Sequence, residues 1–381
     1  MPEFVKGLEL SRLFYEEAVR PALAAEFPGL RYAAALIGTG SEVLGFDDAT
    51  SADHCWGPRV DLFLKEEDYD AARERVREAL RRKLPHSFRG YPTSFTEPDP
   101  DDNGTQHLDA RGAGPVNHKV EVMTARGFFL DYLAFDIERE VEPADWLTFP
   151  EQKLRTVTSG AVFHDEVGLE EVRRRFAYYP RDVWLYLLGA GWARVGQEEH
   201  LMGRAGSVGD ELGSAIIGAR LVRDLMRLCF LSERTYAPYP KWFGTAFKQL
   251  SCAAELSPHL RAALAARTWQ EREQHLVAAY RLVAGMHNRL GLTGPLPTEP
   301  RGFFGRPFRV IELHGFAGST LALIREERVR RIAGRRPIGG IDLFSDSTDL
   351  VSHASWRAAL RGLYESGETS KTDDGLRMPT D

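Results

Sequence analysis

Leu36-Ile-Gly-Thr-Gly-Ser-Glu-Val-Leu-Gly45, followed by Ser51-Ala-Asp-His-Cys-Trp-Gly-Pro-Arg-Val-Asp-Leu-Phe-Leu64, is the stretch on which the reading of the fold turns. The apolar run from Tyr32 to Ile37 predicts a buried strand. It ends at Gly38-Thr39-Gly40-Ser41, where small residues let backbone N–H groups come close to an anion. A helical turn is expected next, its amino end directing partial positive charge at a phosphate. Arg59 to Leu64 reads as a second apolar strand with Asp61 inside it. Val116-Asn-His-Lys-Val-Glu-Val-Met123 alternates polar and apolar residues and predicts a third strand centred on Glu121. If that strand pairs beside Arg59–Leu64, Glu121 and Asp53 face one pocket.

This order of small-residue turn, short helix and acidic strand resembles the nucleotidyltransferase superfamily of DNA polymerase beta and the kanamycin and lincosamide nucleotidyltransferases. The family pattern is a hydrophobic-Gly-Ser turn, a glycine five residues after the first, then Ser-Asp-x-Asp on a strand and a third acid on a later one. Gly40, Ser41, Gly45, Ser51 and, with one extra residue, Asp53 match it. The resemblance implies metal-dependent transfer of a nucleoside monophosphate from a triphosphate, ATP being the expected donor, to a hydroxyl. Gly40 and Ser41 would hold the triphosphate. Asp53, Asp61 and Glu121 would be the catalytic acids and the ligands of Mg²⁺ or Mn²⁺, polarising the α-phosphate and neutralising the leaving pyrophosphate. The pattern breaks at Cys55, where an acid is expected, and a thiolate is a poor partner for Mg²⁺. Asp61, on the strand itself, is the substitute. The same break opens an alternative, a nucleotide-binding or regulatory protein on this fold that has lost transfer. Neither a Walker loop nor a dinucleotide fingerprint is present.

The chain of 381 residues is long enough for two domains with substantial cores, and its 43% apolar and 27% charged content is that of a globular protein. A net charge of −6 and a pI near 6.0 argue against a dedicated nucleic-acid binder. The basic clusters at 73–83, 173–175 and 325–336 read as solvated helix faces. Three widely spaced cysteines form neither a disulfide framework nor a zinc motif and suit a reducing cytoplasm. No signal sequence and no uninterrupted membrane-length apolar run is found. The expected partners are a nucleotide and a small-molecule acceptor, not a membrane.

The fold class expected is α+β, a small mixed-sheet nucleotidyltransferase domain over residues 1–142 followed by a helical bundle over 143–364 and a flexible tail over 365–381. An amphipathic helix from Leu8 to Phe27, bent at Pro21, and a second from Glu67 to Lys83 cover the sheet. The Pro- and Asp-rich segment 91–115 reads as a loop, either an acidic lid suited to a cationic acceptor or a mobile insertion. A helix at 127–135 closes the first domain and 143–150 is a connection. Helices at 170–176, 181–202, 208–231, 239–250 and 269–289 follow by period. In them, Arg204, Asp210, Glu211, Arg220 and Asp224 are interhelix ion pairs or ligand contacts. In Tyr236-Ala-Pro-Tyr-Pro-Lys-Trp242, Lys241 suits a phosphate and Tyr239 a stacked base. His54 and His118 are general bases or plain hydrogen-bonding residues. Together with the glycine-serine module, these motifs resemble an uncharacterised bacterial family, a domain of unknown function within the same superfamily, which implies a fold and no substrate.

Overall fold

A computed structural model describes residues 4–50, 55–102, 104–110 and 112–365. The chain is a mixed α+β protein. It opens with α1 (Gly7–Phe14), a π-helical turn (Tyr15–Val19) and α2 (Arg20–Glu26), which run on as one irregular helix. The wide turn falls just before Pro21, whose ring cannot sit inside a regular α-turn. Then come β1 (Tyr32–Leu36), β2 (Arg59–Leu64) and α3 (Glu66–Lys83). The segment read as a loop is built instead from two small ladders, β3 (Ser87–Phe88) with β4 (Tyr91–Pro92) and β5 (Ser94–Phe95) with β6 (Leu108–Asp109). Bonds such as Thr96 N–H to the His107 carbonyl, 2.9 Å, make it a hairpin, and Phe95 is buried beneath it.

β7 (Lys119–Thr124), α4 (Ala125–Leu133), α5 (Pro143–Thr148), α6 (Glu151–Thr158) and β8 (Ala161–Asp165) follow. The four long strands lie in the order β7-β2-β1-β8. The fourth comes from beyond the 142/143 division drawn on the sequence. Residues 143–148, expected as a connection, form a helix begun by Pro143 and buried throughout. Beyond lie α7 (Leu169–Arg174), α8 (Arg181–Ser207), α9 (Glu211–Ser232), α10 (Pro240–Phe247), α11 (Ala253–Ala265) and α12 (Trp269–Arg289), a helical layer around a shared core. The hairpin of β9 (Arg301–Phe303) and β10 (Arg306–Val310) packs on it, followed by α13 (Phe316–Leu321), α14 (Glu327–Ala333), α15 (Ile341–Phe344), α16 (Thr348–Ser352) and α17 (Arg357–Glu365). No helix among the described residues is long and apolar enough to cross a membrane.

Strand alternation splits the sheet into two unlike faces. Tyr32, Ala34, Val60, Leu62, Leu64 and Val120 pack in one core with α1, α2 and α3. Ala33, Ala35, Ile37 and Phe63 point the other way. β1 and β2 are antiparallel with Ala35 opposite Asp61, while β2 and β7 are parallel with Arg59 opposite Lys119 and Asp61 opposite Glu121. Opposite residues in a ladder share a face, so these four charged side chains rise from the second face, at the end of the sheet next to the glycine turn.

Candidate functional site

The turn after β1 is held by its own glycines and by its neighbours. Gly38 has φ 81° and Gly40 φ 142°, conformations that side-chain-bearing residues avoid. The Gly38 N–H donates to the Thr156 carbonyl at 3.1 Å, tying the turn to α6. A Cβ on Gly40 would lie 2.5 Å from both Arg59 Nη2 and Glu42 Oε2. Gly40 is thus the close approach that lets the buried Arg59–Glu42 ion pair, 2.7 Å, sit under the turn. Arg59 also donates to the Thr39 carbonyl at 2.5 Å. The helix expected after Ser41 does not form. Ser41 and Glu42 carbonyls accept from Leu44 and Gly45 at 3.2 and 3.1 Å and the chain turns away, so no helix dipole is directed at this turn.

Cys55 lies before β2 with φ 51°, its N–H bonded to the Gln106 carbonyl at 3.0 Å. It therefore occupies no strand position. On β2 itself the residue two before Asp61 is Arg59. Asp53 and His54 lie outside the described residues. Asp61 Oδ2 accepts the Ile37 N–H at 3.3 Å. Protein surrounds its carboxyl although part of the residue remains open, and desolvation raises its pKa to about 6 against the pull of Arg59. Glu121, on the edge strand, is exposed.

Beside the turn opens a cleft of about 680 Å³, lined on one side by Thr39, Gly40, Ser41 and Leu44 and on the other by Tyr132, Gln152, Lys153, Thr156, Tyr239 and Pro240, with Thr348 and Ser352 at its end. Tyr132 and Thr156 hydroxyls bond at 2.6 Å. Lys153 is only 8% exposed. Its ammonium donates to the Tyr132 carbonyl at 2.7 Å and lies 4.7 Å from that ring's centre. Among the described residues no carboxylate is within ion-pairing distance of it, and burial lowers its pKa to about 8. A buried cation without a counter-charge is costly, and here it borders a cavity next to a glycine turn.

The cleft's lining unites Gly40, Ser41 and Tyr239 of the sequence-predicted residues. It leaves out four of those described. Asp61 lies on the sheet face behind the turn, and Glu121, opposite Asp61 on β7, lines a separate cavity with Arg73, Arg77 and Lys119. Lys241 is exposed and covers the Trp242 ring at 5.0 Å, outside the lining. Arg204 lies near the end of α8 beside His200, whose ring stacks on Phe303 of the β9–β10 hairpin. The charges of α8 and α9 pair with each other, Arg220 with Glu198 at 2.8 Å and Arg194 with Asp224 at 3.4 Å. His118 is unfit as a base. Its Nδ1 accepts the Val120 N–H and its Nε2 bonds the Arg77 carbonyl, and burial lowers its pKa to about 4. Lys153, Tyr132 and Arg59 escaped the sequence reading. Pro150-Glu-Gln-Lys153 carries no motif, and only the three-dimensional neighbours single the lysine out.

Mg²⁺ takes six oxygen ligands, usually one or two carboxylates completed by water and substrate phosphates, and a pair of such ions needs carboxylates shared between them. On this face Asp61 and Glu121 alternate with Arg59 and Lys119, and Glu42 is already engaged by Arg59. No group of three metal-ligating side chains occurs among the described residues. The described residues do not fit a carboxylate-bound metal pair.

Residues 146–243 match a domain of unknown function (DUF4037). That segment runs from α5 into α10 and includes Lys153, Tyr239 and Pro240. No curated protein matches the chain. Among solved structures, a nucleotidyltransferase-like protein from Exiguobacterium sibiricum 255-15 is similar at 10% identity over 74% of this chain and 75% of that one, with a TM-score of 0.30. Such a likeness is too low to carry a conclusion.

Proposed function

We propose that the cleft binds a nucleoside triphosphate, the polyphosphate lying between the Gly38–Ser41 turn and Lys153 and the base against Tyr239. The observation that carries this reading is the buried Lys153 ammonium, which has no carboxylate partner among the described residues and belongs to a side chain lining the same cavity as the glycine turn. A polyanion supplies the missing counter-charge in a site of low dielectric, where it is worth most. Tyr239, 38% exposed at the cleft's edge, offers a sequence-tolerant surface for a base.

A second reading, nucleotidyl transfer to a small hydroxyl compound, is supported by Asp61. Asp61, on the sheet face behind the turn and outside the cleft's lining, would take the acceptor's proton as that oxygen bonds to the α-phosphorus and pyrophosphate leaves.

The test is thermal unfolding of the wild type and Lys153→Ala with each of the four ribonucleoside triphosphates. Ligand at a hundred times its dissociation constant adds about 2.7 kcal/mol of stability. A rise in Tm with one triphosphate, lost in Lys153→Ala, is the expected result. No rise with any of the four overturns the nucleotide reading.

A further inference from the structure

Arg59 and Asp61 lie two apart on β2 and therefore on one face, with Lys119 and Glu121 opposite them on β7. Each carboxylate on this face has a cation two residues before it on its own strand. Arg59 is the more deeply placed. Its side chain is 13% exposed, and its guanidinium reaches the Thr39 carbonyl and Glu42 directly under Gly40. Lys119 is tied to Gln106 at 2.8 Å.

We infer that the cleft binds its phosphate-bearing ligand without a divalent cation, the fixed Arg59 guanidinium occupying the place on β2 where a metal site needs a second carboxylate. This deepens the nucleotide reading and rests on it. A metal ion approaching Asp61 meets the positive charge of Arg59 at once, and Arg59 cannot lose that charge by deprotonation. Glu42, the remaining acid nearby among the described residues, is consumed in holding Arg59. The positive charge a polyphosphate needs is instead built into the chain. Lys153 supplies the uncompensated ammonium, and Arg59 holds the turn so that its backbone amides keep one geometry. The ligand class is a di- or triphosphate ester in its metal-free form.

The experiment is isothermal titration of wild-type protein with ATP and with inorganic tripolyphosphate, once in EDTA and once in excess Mg²⁺, and of Lys153→Ala under the same conditions. The expected result is an ATP affinity that differs less than threefold between the two media and falls at least tenfold in Lys153→Ala. A tenfold or greater loss in EDTA overturns the inference and leaves the nucleotide reading standing. No binding in either medium removes both. Mn²⁺ titration followed by electron paramagnetic resonance gives a second readout that needs no nucleotide. Wild type is expected to leave Mn²⁺ free, and Arg59→Asp, which makes β2 acid-x-acid, to bind it; bound Mn²⁺ on the wild type overturns the inference even if the variant fails to fold.

Discussion

Lys153 is one of the buried groups that tie the molecule's stability to pH. Its folded pKa of about 8 lies below the ordinary 10.5, so between those values the unfolded chain holds a proton that the folded one has released. Stability from this group therefore rises with pH across that window, by on the order of 3 kcal/mol in all. Lys153→Met should flatten the rise, as urea unfolding at pH 7, 8.5 and 10 would report. Glu199 works the other way. It is 3% exposed on α8 and accepts the N–H groups of Ile311 and Glu312 at 2.6 and 3.1 Å, and burial raises its pKa to about 8 from 4.5. Its contribution is complete below pH 4.5 and lost as pH climbs through 8. Glu199→Gln should lose less stability between pH 5 and 9 than wild type, and an unchanged slope in the same unfolding series would count against this. Gly40, Ser41 and Asp61 were legible in the sequence because a turn and a strand are local patterns. Lys153 was not, because what distinguishes it is the absence of a partner, and that is a property of residues brought in from α4 and the turn.

Helices show the same division. The bounds of α12 read from the sequence agree with its structure, because Thr268 and Glu271 form a reciprocal capping box where the apolar period begins. Thr268→Ala should cost about 1 kcal/mol in urea unfolding at neutral pH. α5 escaped detection because all six of its residues are buried and no polar face marks a period. β8 escaped because five residues after a glycine turn are too few to show alternation. α5 is secured across the chain by Asp145, fully buried, which accepts from Arg357 at 2.6 Å and from Arg361, both on α17. Asp145→Ala strands the buried Arg357 guanidinium and should cost about 3–5 kcal/mol. Replacing Asp145 and Arg357 together by apolar residues should cost less than the single change, and a larger loss in the double variant would refute the clasp.

At the scale of the molecule, the sheet and the helical layer are one structure. Phe46, Phe129 and Leu133, all before residue 142, belong to the core of the helices, and β8 completes the sheet from the other side. A fragment ending at residue 142 would leave the β1 edge and those apolar side chains uncovered. It should aggregate or remain unfolded by circular dichroism, and fluorescence and far-ultraviolet transitions of the whole chain should coincide. A fragment that unfolds cooperatively would show that the division visible in composition is a physical one.

The cleft's walls come from residues 39–44, 132, 152–156, 239–240 and 348–352. A chain ending before α16 lacks Thr348 and Ser352, so that end of the cavity stays open to solvent however well the earlier walls have folded.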